Sequence, residues 1–231
     1  CLGGADMKQS DDLTSIRRDY QSSPFDLQDL DPSPVNQFSC WFEQYRQLAP
    51  SNATAMVLAT ASTECSPSAR VVLLKHYDRE GFCWYSDYRS RKGVALAANP
   101  QAELLFYWPE LDRQVRIFGG VQRLDRSFAE RYFSERPRGS QLSAAASYQS
   151  QPIADRSQLE QQVDRLSRRY LGQSVPCPEL WGGYRLVPLR YEFWQGRENR
   201  LHDRLVYSLD PAGVKESRDE SGCWSINRLA P

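Results

Sequence analysis

The sequence predicts a mainly β chain: an antiparallel sheet with peripheral helices, closed into a barrel. Three observations carry that reading. Short runs rich in β-branched and aromatic residues recur along the chain with turn material between them. Helical periodicity is confined to a few segments and does not alternate regularly with the strands, as a parallel fold would require. No internal repeat divides the chain into stacked units.

Residues 1 to about 30 are polar, with few apolar anchors, and read as a flexible arm ahead of one domain spanning residues 31–231. Ser33 and Pro34 open the first helix: Ser is a natural N-cap, and Pro at the first helical position loses no hydrogen bond. Val35, Phe38, Trp41, Phe42, Tyr45 and Leu48 give it one apolar face, and Pro50 ends it. Strands are expected over 55–60, 69–77 and 82–86, with a hairpin loop at 78–81. A short helix over 90–98 stops at Asn99-Pro100. Strands follow over 102–108 and 114–124, joined by a turn at 109–112. Helices are expected over 125–135 and 155–171, the second burying Leu159, Val163, Leu166 and Tyr170. Strands over 183–186, 191–195, 205–208 and 223–226 finish the chain.

The formal net charge of +0 supplies no field toward nucleic acid or membrane surfaces, and no stretch approaches the length of a bilayer-spanning helix. Of 29 basic residues only Lys8, Lys75, Lys92 and Lys215 are lysine. Arginine's planar fork suits small anionic ligands, although a codon bias would give the same count. The six cysteines form no C-x-x-C pair and there are two histidines, so no metal site is expected. Cys40 and Cys83 lie in apolar runs and read as small core residues. A reducing compartment, the cytoplasm, is the expectation, with an upstream targeting segment left open because the chain begins at Cys1.

Four segments carry chemistry. In Arg70-Val71-Val72-Leu73-Leu74-Lys75 the two cations fall on opposite faces of a strand unless it bends; read alone, both are strand ends reaching solvent. Tyr85-Ser86 through Arg91-Lys92-Gly93 brings hydroxyls and cations to a helix start, where free N–H groups and the dipole favour a phosphate. Tyr132, Arg136 and Ser140 recur at four-residue spacing and would share one helical face, although Pro137 breaks the helix or starts a new one; a solvated helix edge would look the same. Glu192 to Arg204 runs an aromatic strand into a loop holding arginines and His202. That combination offers a flat ligand stacking surface and orienting groups, or else forms a surface loop of local ion pairs.

Together these segments resemble the pyridoxamine 5′-phosphate oxidase family. The order R-V-V-L-L-K, S-R-K-G, R-Q-V-R, Y-F-x-x-R-P-R-x-S-Q, Q-S, W-G-G-Y, E-F-W-Q-G and R-L-H-D-R matches it, as does the ending Asn227-Arg228-Leu229-Ala230-Pro231. The likeness runs from about residue 14 to the end, and F-W-Q-G followed by R-L-H-D-R is its most specific part. It implies an FMN-binding split β-barrel working as a homodimer, with FMN between the subunits. The activity implied is oxidation of pyridoxine or pyridoxamine 5′-phosphate to pyridoxal 5′-phosphate in vitamin B6 metabolism, with O2 as acceptor and H2O2 as product.

By the same resemblance Arg70, Val71, Val72, Leu73, Leu74 and Lys75 would line the flavin and its phosphate, with Tyr85, Ser86, Arg91 and Lys92 adding contacts and Gln114 bonding the ring edge. Gln149, Ser150, Trp194 and Arg204 would complete the cofactor site from the other subunit. Lys75, Tyr132, Arg136 and Ser140 would hold the substrate phosphate. Arg200, Leu201 and His202 would cover the substrate ring, with Arg200 and His202 catalytic. Arg17 and Tyr20 would close over it from the arm as a lid. Some relatives carry an acidic residue ahead of the first barrel strand; Asn52 stands there here and cannot act as a base. Other readings of the same residues are a split-barrel reductase, a different FMN oxidase, and a non-catalytic carrier of FMN or pyridoxal phosphate.

Overall fold

The computed structural model describes residues 13–15, 18–20, 22–209 and 224–231. Helix α1 (Pro34–Leu48) starts at the expected proline and buries Phe38, Trp41, Phe42 and Tyr45. Its start is held by Asp31 and Gln37 and not by the Ser33 hydroxyl: the Ser33 N–H donates to Asp31 Oδ1 at 2.8 Å, and the Asp31 N–H to Gln37 Oε1 at 3.0 Å. Cys40, expected in the core, is exposed, because it falls off the stripe defined by Phe38, Trp41 and Tyr45. Leu48 is exposed as well.

Among the described residues nine strands form one sheet: β1 (Ala55–Ala61), β2 (Pro67–Leu73), β3 (His76–Asp78), β4 (Gly81–Asp87), β5 (Gln101–Trp108), β6 (Arg113–Arg123), β7 (Trp181–Gln195), β8 (Asp203–Leu209) and β9 (Trp224–Leu229). Their hydrogen-bonded order is β2-β1-β5-β6-β7-β4-β3, with β8 on β7 and β9 on β8, and every pairing is antiparallel. The run read as one strand over 69–77 breaks at Leu74-Lys75. Leu74 donates its N–H to Thr54 O at 2.8 Å and Lys75 to Cys83 O at 2.9 Å. Those two residues carry the chain from one end of the sheet path, β2, straight to the other, β3. The two ends of the path are thus joined there by the chain itself and not by a strand pair. Gly81 ends the β3–β4 hairpin with φ +140°, and a Cβ there would sit 2.0 Å from Leu186 O.

The two runs read at 183–186 and 191–195 are one strand, β7. Its register against β6 shifts between Phe118 and Gly119, where Leu189 is the extra residue next to Pro188. A proline is tolerated at such a bulge because the ladder bond it cannot make is already missing. β7 pairs with β4 before the bulge and with β8 after it. The core gathers Phe38, Phe82, Phe106, Trp108, Phe193 and Tyr207, all fully buried. A smaller cluster of Phe133, Leu142, Val175 and Trp181 seats helices α3 (Arg126–Glu135), α4 (Arg138–Ala146) and α5 (Arg156–Arg169) beside the barrel. The expected buried stripe of α5 is only half-buried. The arm reading does not extend to residues 25–30: Phe25 is buried 4.7 Å from Trp41, and one turn of 3₁₀ helix follows at Leu27–Asp29.

Candidate functional site

Strand β4 delivers Tyr85, Ser86 and Asp87 to the start of α2 (Arg91–Ala98), where Ser90 caps the helix by accepting the Gly93 N–H. Lys92 folds back from the first turn. Its Nζ donates to Ser86 Oγ at 3.0 Å, Ser90 Oγ at 3.2 Å and Gln149 Oε1 at 2.9 Å, and the residue is only 8% exposed. Burial, with the Arg70 charge beside it, pushes the Lys92 ammonium below its ordinary range. Asp87, the one nearby carboxylate, is committed to Arg89 at 2.6 Å. Arg70 has only neutral acceptors: Leu58 O and Thr60 Oγ1 at 2.9 Å and Ser68 Oγ at 2.6 Å. Ser150 adopts a left-handed backbone (φ 72°), and its Oγ accepts the Arg91 N–H at 3.3 Å.

A second cation stands at the α3–α4 corner. Pro137 ends one helix and opens the next, so Tyr132, Arg136 and Ser140 do not share a continuous helix. The corner still turns all three into one place, because Gln141 Nε2 donates to Ser134 O at 3.1 Å and Arg136 O at 2.9 Å and holds the joint. Tyr132 stacks on Tyr85 at 4.2 Å, and the Arg136 guanidinium lies 4.9 Å over Trp181. Arg136 Nη1 is buried with no partner, and burial holds the side chain below its ordinary range. A buried donor without an acceptor is costly unless a ligand supplies one.

Both groups line one cleft of about 1000 Å³. Arg70, Lys75, Arg91, Lys92 and Arg136 face it against Asp87 alone, so a chain of zero net charge carries a strongly cationic pocket. The bend at Leu74-Lys75 brings Arg70 and Lys75 to the same side. Val71 and Leu73, 66% and 48% exposed, add an apolar wall. The side chain of Leu74, also expected beside the cofactor, is buried in the core. Gln149 and Ser150, expected from the other subunit, stand in the same chain as Lys92. Trp181 and Ser147 also line the cleft and were missed; the Trp-Gly-Gly-Tyr run was the available signal for the first.

The remaining predicted residues gather elsewhere. Gln114 on β6, Trp194 on β7 and Arg204 on β8 are register partners and form one row across the sheet. Beside them Glu192, 3% exposed, binds Arg204 at 2.8 Å and Arg116 at 3.3 Å. The Tyr20 ring packs edge-on to Trp194 at 5.6 Å and to His202 at 5.2 Å. Tyr20 and Arg200 line a smaller cleft of about 510 Å³ with Arg18, Asp19, Arg197 and Asn199. Leu201 is exposed on the same loop. Arg17 lies outside the described residues. Asn52 lines neither cleft and sits in the turn before β1. Among the described residues no cluster suits a metal, and no helix is long and apolar enough to cross a membrane.

Comparison with solved structures places the architecture. The chain is similar to a pyridoxamine 5′-phosphate oxidase-related, FMN binding protein from Nostoc punctiforme, at 17% identity and TM-score 0.64, over 87% of this chain and 100% of that one. It is similar also to PhzG from Burkholderia lata, solved with tetrahydrophenazine-1-carboxylic acid, at 30% identity and TM-score 0.78, over 88% and 95%. The fold is that of the FMN-binding split-barrel flavoproteins.

Residues 42–170 match the family model described as pyridoxamine 5′-phosphate oxidase, and residues 181–231 the pyridoxine 5′-phosphate oxidase C-terminal dimerisation region. Relatives named pyridoxine/pyridoxamine 5′-phosphate oxidase include those of Rubrobacter xylanophilus, 48% identical over 90% of this chain and 95% of that protein, and of Acaryochloris marina, 47% identical over 95% of each. The chain belongs to the pyridoxine/pyridoxamine 5′-phosphate oxidase family.

Proposed function

We propose that the protein is an FMN-dependent oxidase that converts pyridoxine or pyridoxamine 5′-phosphate to pyridoxal 5′-phosphate, using O2 and releasing H2O2, and that it works as a homodimer. The observation that carries this reading is the single cleft with two cationic seats, one at α2 around Lys92 and one at the α3–α4 corner around Arg136. A cofactor phosphate and a substrate phosphate each need an anion seat; a protein that only stored FMN needs one.

The donor set fits FMN. Arg70, Arg91 and Lys92, with Ser86, Gln149 and Ser150, would hold its phosphate, and Val71 and Leu73 would flank its ring. When bound, FMN supplies a hydride acceptor. The chain's part is placement. Lys75, Tyr132, Arg136 and Ser140 would grip the substrate phosphate, and that remote binding energy holds the reacting carbon in line. Burial strengthens the Arg136 contact, because the guanidinium has lost water without gaining a partner. Gln114, Trp194 and Arg204 stand outside this cleft, so they would complete it from a second copy, with Arg200 and His202 covering the substrate ring and Tyr20 closing above. The dimerisation region that residues 181–231 match contains Trp194, Arg200, His202 and Arg204, which supports that arrangement.

The test is to purify the chain, record its visible spectrum and add pyridoxine 5′-phosphate. Bleaching of a yellow protein without oxygen, and peroxide under air, are expected. A carrier gives neither. An oxidase that bleached with a tricyclic carboxylic acid of the kind bound by PhzG, but not with the vitamer phosphates, would reassign the substrate and keep the flavin.

A further inference from the structure

The loop from Gly196 to His202 is held unusually firmly for a segment without regular structure. Gly196 donates its N–H to Asp112 O at 2.7 Å, and the Arg197 guanidinium donates to Ser22 O at 2.7 Å and lies 3.7 Å from Asp203. Asn199 and Arg200 are both left-handed (φ 55° and 61°), a conformation that costs most residues free energy, and they fold the chain back so that Leu201 N–H reaches Glu198 O. The result is a specific contact: the backbone N–H of Arg197 donates to Nδ1 of His202 at 3.0 Å. The ring cannot swing away from it, being packed between Tyr20 at 5.2 Å and Trp194 at 4.7 Å.

We propose that the Arg197 amide fixes His202 as the Nε2-protonated tautomer, so that His202 acts on the substrate as a hydrogen-bond donor and not as a proton acceptor. A neutral imidazole has one donor and one acceptor nitrogen. With the Nδ1 lone pair taken by an amide N–H, the proton belongs on Nε2, which then has no lone pair to receive another. Among the described residues Nε2 meets no protein partner, so its N–H is available to a ligand. The charges around the ring favour its neutral form. Burial and the Arg200 cation lower its proton affinity, opposed by Asp203 on β8; Arg197 on the loop and Arg18 and Asp19 on the arm stand nearby. On this reading His202 is not available as a base for the reaction, and neither is Asn52.

The donor role rests on the reading of His202 as a substrate contact; the tautomer does not. The chain has two histidines, so ¹⁵N-histidine labelling with a His76→Gln variant leaves one ring to observe. At neutral pH, Nε2 is expected to resonate as a protonated nitrogen and Nδ1 as an acceptor. An Nδ1–H pattern, or averaged tautomers, overturns the proposal. His202→Asn keeps an acceptor near Nδ1 and leaves no donor at the Nε2 position, and should lower kcat/KM for pyridoxine 5′-phosphate on the order of ten-fold. A purely structural role would leave that value unmoved, and such a result overturns the donor role. If the wild-type chain gives no peroxide, the proposed reaction falls and the donor role with it, while the spectrum alone decides the tautomer.

Discussion

Lys92 is buried and Arg136 half-buried in the same cleft, yet the two cations should fail differently. Arg136 Nη1 has no partner in the protein, so a ligand oxygen is its natural acceptor. Arg136→Ala should raise KM for pyridoxine 5′-phosphate about ten- to a hundred-fold, as expected for a lost charge-assisted hydrogen bond of roughly 1.5–3 kcal/mol. The turnover number at saturation should change little, and steady-state kinetics separates the two. Arg200→Ala should instead lower turnover; an unchanged turnover number would remove it from the reacting end. Lys92 carries a pH signature. Because burial and Arg70 depress its pKa, the apo protein loses this charge at a lower pH than a free lysine would. FMN affinity should therefore fall as pH rises through a window below 10.5, and Lys92→Arg, charged throughout, should flatten that fall. Fluorescence titration of apoprotein with FMN across pH measures it.

At the scale of elements, the seat at α2 depends on one short joint. Ser90 caps α2 and also donates to Asp87 O at 2.7 Å, tying the helix start to the end of β4. Ser90→Ala should cost about 1 kcal/mol of stability and weaken FMN binding, because Lys92 loses one of its three anchors. Urea denaturation and FMN titration read the two effects. The loop before β8 holds the opposite situation. Asn199 occupies left-handed backbone, so Asn199→Gly should leave stability unchanged or raise it by less than about 1 kcal/mol. A marked loss would show that the Asn199 side chain, and not its backbone, holds the loop.

At the scale of the whole molecule, the row Gln114–Trp194–Arg204 and the Lys92–Arg136 cleft belong to one chain but not to one pocket. If two copies build each site, chains damaged on different halves should rescue one another. Lys92→Ala and Arg200→Ala protomers, each impaired alone, should regain activity toward about a quarter of wild type after mixing and reassociation, since half of randomly paired dimers carry one intact site of two. No recovery in verified mixed dimers would mean that each chain builds its own site. Much of this was legible beforehand. Most of the strand and helix order followed from periodicity and turn residues, although helix α4, the split of 69–77 into β2 and β3 and the continuity of β7 did not, and the Tyr132, Arg136 and Ser140 set was visible as a four-residue spacing despite the break at Pro137. Cys40 was misjudged because a local apolar run does not say which way each side chain points.

Local chemistry in the sequence was enough to determine the β-rich architecture, the capped, cation-rich helix start at Ser90, and the family itself through motifs such as Arg-Leu-His-Asp-Arg. These are short-range properties, encoded in neighbouring residues. Tertiary structure alone decided that Leu74-Lys75 joins the two ends of the sheet path, that Gln149 and Ser150 face Lys92 in the same chain, and that the Arg197 amide meets His202. Each of these depends on where distant backbone segments come to rest. That is set by closing the sheet around one packed core, a global constraint that no local window of residues contains.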